Sequence, residues 1–232
     1  MIHQLIFAAP RPGLTAEQMN DHWVRVHAPR FAGLIPQFKQ YCVDTALAFP
    51  QAPSAPWSGV GEIWFDNDQD QLASVQSPEY LEGARPDEPN FVAIWQLLVL
   101  DTQPHPLLAP TAADGVGRPG VKLVVLVKRK PGSTRAQFVR RSLDEHAALA
   151  LEIPGLRGYQ QNHARDGHYA VGEAALDAAY ELWFDSLDAL TTAAAAPEYA
   201  KVLADLEAFV EPRYTHILAV RENWIIGPDS RA

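Results

Sequence analysis

The chain has 232 residues, 47% apolar and 20% charged, the balance of a globular protein able to bury a sizeable core. A net charge of -9 and a pI near 5.3 argue against nucleic acid and anionic membrane surfaces as partners, since both attract basic patches. A single cysteine, Cys42, excludes an intrachain disulfide framework; the opening MIHQLIFAAPRPG has no basic segment or long apolar run, and no stretch nears the ~20 apolar residues of a membrane span, so a cytoplasmic location is expected.

Residues 2–9 are a short apolar run closed by Pro12-Gly13, which predicts a strand. A helix follows over about 15–33, with Thr15 as N-cap and Met19, Trp23 and Val26 on one face. A strand over 37–45, the proline-rich loop AFPQAPSAPW, the strand EIWFD (Glu62 to Asp66), a helix ending near Pro78-Glu79-Tyr80 and a last strand, WQLLVLD (95–101), complete the first half. Residues 102–120, with four prolines and three glycines, read as a linker.

The same succession then recurs. Strand 121–128 leads to a helix over 134–151, capped by Ser133 or Thr134, with Phe138, Leu143 and Ala147 on one face. Strand 156–163, a loop carrying His163, Asp166, His168 and Tyr169, the strand ELWFD (Glu181 to Asp185), a second helix and the strand 215–223 follow. Pro12-Gly13 aligns with Pro131-Gly132, His27-Ala28 with His146-Ala147, Tyr41 with Tyr159, Pro78-Glu79-Tyr80 with Pro197-Glu198-Tyr199, Asp87 with Asp205, and Phe91-Val92 with Phe209-Val210. Matches in one order at near-constant spacing mark an internal repeat. The expected organisation is a half at 1–101, a linker at 102–119 and a half at 120–232.

Each half reads β-α-β-β-α-β, the ferredoxin-like α+β unit. In the EIWFD strand, period-2 alternation sends Ile63 and Phe65 to the helix side and Glu62 and Trp64 to the other; Glu181 and Trp183 repeat this. A sheet with helices on one side leaves its other face bare, so the halves are expected to stack sheet on sheet as a pseudo-dimeric barrel, with these four residues lining the space between.

The segment His22-Trp23-Val24-Arg25-Val26-His27-Ala28-Pro29, the turn Ile153-Pro154-Gly155, the E-x-W-F-D strand and the Pro-Glu-Tyr segment resemble the EthD-like family of the dimeric α+β barrel group. The resemblance covers nearly all of both halves. It implies a barrel built here by one chain, and a helix histidine that acts as acid or base at a cavity, a position held by His27 and His146.

A neutral imidazole accepts a proton and an imidazolium donates one near neutral pH, which makes His27 and His146 the expected catalytic residues. The plainer reading is a histidine bracing the end of its helix. Trp23, Tyr41, Trp64, Tyr159 and Trp183 are expected to shape a pocket, Glu62 or Glu181 to orient substrate or histidine, and His168 to stand at the rim. One principal site is expected near His27, because the second half has Ser142 where the first has Trp23. Asp87 and Asp205 are read as caps of short helices, and Cys42 as a small buried residue. No nucleotide, zinc-protease or hydrolase motif is present, and no metal or cofactor is expected. The expected function is a cofactor-independent, His-mediated proton-transfer reaction (dehydration, isomerisation or cyclisation) of a small hydrophobic oxygenated molecule, aromatic or polyketide-like, by a monomer (pseudo-dimer) or homodimer. The alternative is a non-catalytic ligand-binding or accessory protein of a degradation pathway.

Overall fold

The computed structural model describes residues 1–51, 55–115, 117–170, 172–228 and 230–231; residues 52–54, inside the proline-rich loop, lie outside the described residues. The strands are β1 Ile2–Ala8, β2 Gln40–Leu47, β3 Gly59–Phe65, β4 Leu98–Leu108, β5 Val121–Val127, β6 Leu156–Ala164, β7 Ala178–Phe184 and β8 His216–Ile226. Their order is β1-β3-β2-β8-β5-β7-β6-β4, a closed antiparallel barrel.

Two compact units divide the chain: residues 1–46 with 56–103 and 221–232, and residues 47–55 with 104–220. These are not the contiguous stretches read from the sequence. Strand β4 also runs to Leu108, seven residues into the segment read as linker. Its prolines, Pro104 and Pro106, hold the φ of an extended chain and are tolerated where their missing N–H is not required.

Within the first unit, β1 pairs with β3 in a register that sets His3 beside Trp64 and Ile2 beside Phe65. Ile63 and Phe65 join a core with Met19, Trp23, Ile35, Phe38, Tyr41 and Phe91, on the helix side as the alternation predicts. In the second unit Leu182 and Phe184 join Phe138, Ala147, Ile153, Tyr159 and Phe209 in the same way.

The first helix of each unit opens on a reciprocal cap. Thr15 Oγ1 accepts from Gln18 N at 3.1 Å while Thr15 N donates to Gln18 Oε1 at 2.9 Å. Thr134, not Ser133, repeats this with Gln137 at 3.2 and 2.9 Å. Helix α1 (Ala16–His22) then widens into a π turn at Trp23–His27 before α2 (Ala28–Arg30). The second copy has a π turn at Ser142–His146 between Arg135–Arg141 and Ala147–Ala150. The wider turn alters the 3.6-residue phase. Trp23 and His27 are therefore buried together, as are Ser142 and His146, whereas Val26 and Leu143 are only half-buried.

The Pro-Glu-Tyr segments begin helices rather than end them. Pro197 starts the helix Pro197–Phe209, after a separate helix Leu187–Ala194, because proline suits a first helical turn whose N–H groups have no partner. In the first unit Pro78 precedes a π turn, Glu79–Ala84, that continues into Arg85–Asp87. Among the described residues, no helix is long and apolar enough to cross a membrane.

Candidate functional site

The π turn of the first unit drives His27 into the core, and the Arg85–Asp87 turn brings a carboxylate to meet it. His27 Nδ1 lies 3.0 Å from Asp87 Oδ2. The same carboxylate receives His22 Nε2 at 3.0 Å and Asn90 Nδ2 at 3.0 Å. Phe91 packs on both imidazoles, 4.8 Å from His27 and 5.0 Å from His22 between ring centroids. Burial lowers the His27 pKa, with Asp87 opposing the shift only in part, so the ring is neutral at pH 7. Burial alone would raise Asp87, but the hydrogen bonds from Asn90, His22 and His27 outweigh it and hold the carboxyl below its usual value. A carboxylate on Nδ1 selects the Nδ1–H tautomer and leaves Nε2 as the basic nitrogen.

His27 lines a pocket on the helix side of the sheet, with Trp23, Tyr41, Tyr80, Glu88 and Phe91. The space open to solvent-sized atoms is about 90 Å³. Trp23 Nε1 donates to Tyr41 Oη at 2.9 Å, and that hydroxyl hydrogen has no acceptor among the described residues. Burial pushes the Tyr41 pKa well up, so it stays a protonated donor. Glu88 is raised by burial, against an ion pair with Arg85.

The second unit keeps the histidine–carboxylate pair and changes its surroundings. His146 Nδ1 lies 2.8 Å from Asp205 Oδ2. Arg141, at the place of His22, pairs with the same carboxylate and stacks over Phe209. His146 too is lowered chiefly by burial. Its pocket, with Tyr159, Tyr180, Tyr199 and Leu206, has only about 20 Å³ open to solvent-sized atoms, room for roughly one water. Ser142 Oγ bonds Gln161 Oε1 at 2.7 Å and Tyr180 Oη at 2.6 Å, and Gln161 Nε2 donates to Tyr159 Oη at 2.7 Å. The large side chain thus comes from the helix (Trp23 over Gly61) in the first unit and from the strand (Tyr180 over Ser142) in the second. A Cβ on Gly61 would stand 2.9 Å from Trp23 Cζ2.

The structure separates the expected site residues into two faces. His27, Trp23 and Tyr41 meet in one pocket, and His146 and Tyr159 in the other. Glu62, Trp64, Glu181 and Trp183 do not join them, because alternation turns them to the opposite sheet face. Glu62 Oε2 lies 2.9 Å from His3 Nε2, and His3 stacks on Trp64 at 4.2 Å. Glu181 is engaged by Asn162 Nδ2 at 2.9 Å, Gln160 Nε2 at 3.2 Å and Lys122 Nζ at 3.5 Å, while Lys122 also lies over the Trp183 ring. The carboxylates on His27 and His146 are instead those of Asp87 and Asp205. His168 sits in the short helical turn Asp166–Tyr169 and lines neither pocket; Tyr169 donates to Asp177 at 2.6 Å and covers Arg135. His163 belongs to β6 rather than to the loop, and Cys42 is buried.

Asp87 and Asp205, read as helix caps, are instead the histidines' partners. Their place in the repeat was the available signal, with the matched Phe91 and Phe209 four residues on. Tyr80 and Glu88 were missed. Tyr80 lies in the repeated Pro-Glu-Tyr segment, whereas Glu88 aligns with Leu206 and carries no repeat signal.

Burial pushes His163 down to about 3, with Nε2 3.0 Å from Gln161 Oε1 and His105 5.0 Å away. The unfolded chain takes up this proton near pH 6.5 and the folded chain only near 3, so His163 removes stability as pH falls through that window. Depressed Asp87, Asp177 and Asp205 add their loss at the acid end, when their carboxylates protonate. His163→Leu is expected to flatten the stability profile between pH 6.5 and 4 in urea unfolding; an unchanged slope would refute the assignment.

The EthD domain model matches the chain twice, at residues 11–94 and 130–213. No curated protein matches it. Among solved structures, an anthrone oxidase-like protein is similar at 12% identity and a TM-score of 0.65, over 100% of this chain and 95% of that one. A Fusobacterium nucleatum protein named as a candidate monooxygenase is similar at 6% identity and 0.61, over 96% and 93%. An ethyl tert-butyl ether degradation (EthD) family protein from Bacillus halodurans is 24% identical, over 43% of this chain and 95% of that one, with a TM-score of 0.37. The two full-length likenesses concern the fold.

Proposed function

Since the chain belongs to the EthD family, with one copy of the domain in each half, we propose that its first copy is a proton-transfer enzyme for a small, mostly apolar, oxygenated molecule, with His27 as the base. The observation that carries this reading is the Asp87–His27 pair at the wall of an aromatic pocket. Asp87 keeps the proton on Nδ1 and stabilises the imidazolium that forms when Nε2 takes a proton from the ligand. Tyr41, polarised by Trp23 Nε1, supplies a hydrogen bond to the oxygen on which negative charge develops. The returned proton completes an isomerisation, a dehydration or a ring closure without any other group.

Volume favours this pocket over the second, and the aromatic walls favour a ligand of one or two rings. Small cyclic aryl ketones such as 1-indanone and 1-tetralone carry the required oxygen beside an acidic C–H. Deuterium uptake at that carbon, followed by proton NMR, reads proton abstraction directly. Wild-type protein is expected to accelerate uptake, and His27→Gln to slow it by about 10²–10⁴-fold with the fold intact. Equal uptake by both proteins would sink the role of His27. Ligand binding without acceleration would leave the accessory-protein reading in its place.

A further inference from the structure

The first pocket contains a carboxylate that the proton transfer does not use. Glu88 lines it with Tyr41 and Tyr80, and its charge acts on both tyrosine hydroxyls. Its Oε2 is held by Arg85, while its Oε1 accepts no hydrogen bond among the described residues. The corresponding residue of the second copy is Leu206, which lines the smaller pocket. Glu88 is half-buried and open to solvent in part, so a ligand that fills the pocket and shuts solvent off from this carboxylate must donate to it in place of water. Arg85 already balances its charge, so the donor that suits it is neutral rather than a second cation.

Resting on the proton-transfer reading of this pocket, we infer that its ligand is a hydroxylated aryl carbonyl compound: Tyr41 donates to the carbonyl oxygen and Glu88 accepts from a phenolic hydroxyl elsewhere on the ring. The two groups then fix which ring carbon is presented to His27. The second copy, with leucine at that position, has no such preference.

Calorimetric titration of 1-indanone against 5-hydroxy- and 6-hydroxy-1-indanone tests this. Wild-type protein is expected to bind at least one hydroxylated ketone about tenfold or more tighter than 1-indanone, the range of a hydrogen bond to a charged group. Glu88→Leu should abolish that preference, so that the hydroxylated ketones bind no tighter than 1-indanone does to the same variant; Glu88→Gln, which still accepts, should keep part of it. Equal affinities in wild type, an undiminished preference in Glu88→Leu, or no binding of any ketone at millimolar concentration would overturn the inference. Deuterium uptake separates the two claims. Uptake without hydroxyl preference leaves His27 standing and removes the role of Glu88. Preference without uptake removes the base and keeps the ligand class.

Discussion

Trp23→Ser is expected to lower stability by about 3–5 kcal/mol, the cost of emptying a large buried aromatic site. Gly61→Tyr alone is expected to cost several kcal/mol as well, because a Cβ there already lies 2.9 Å from Trp23 Cζ2 and that contact is a rigid ring. Together the two substitutions reproduce the second copy, in which Ser142 and Tyr180 fill the same space and share a 2.6 Å hydrogen bond. The double variant is therefore expected to recover about 1–3 kcal/mol relative to the sum of the singles. It should stop short of full recovery, since Gln161, which completes that arrangement, aligns with Val43. Urea unfolding of the four proteins measures the cycle. Additive single effects would show that the two copies do not solve one packing problem in exchangeable ways.

Asp87→Asn is expected to reduce deuterium uptake by about 10²–10⁴-fold, close to the effect of losing His27 itself. An amide can turn its N–H toward Nδ1, which moves the ring proton to Nε2 and removes the basic nitrogen from the pocket. Asp205→Asn in the same assay is expected to change uptake less than twofold, because the second pocket has room for roughly one water. Uptake should also fail as pH drops in wild type, since His27 must be neutral to act and its lowered pKa places that loss below 6.5. Equal losses in the two aspartate variants would shift the reaction away from the first copy; no loss in Asp87→Asn would reduce the carboxylate to a brace.

Much of the fold was legible because its signals are local and occur twice. The capping boxes at Thr15 and Thr134, the alternation in EIWFD and ELWFD and the order of the matched motifs each depend on residues close in sequence. They identified the βαββαβ unit, the sheet faces and the helix histidines. The π turns were not legible, so Val26 and Leu143 were placed too deep; the inserted residue leaves no compositional mark. The extension of β4 was hidden by two prolines that suit an extended chain as well as a linker.

By itself, then, the sequence determined the repeat, the barrel-forming units and the pair of histidines, because periodicity specifies which way a side chain leaves its own element. Only the tertiary structure decided what those side chains meet. His27 and Asp87 are separated by 60 residues and join when the Arg85–Asp87 turn packs on the first helix. The site lies on the helix side of the sheet, away from Glu62 and Glu181, and is more open in one unit than in the other. A pocket is space left over after distant side chains have packed; here Trp23 against Gly61 and Tyr180 against Ser142 leave different amounts of it.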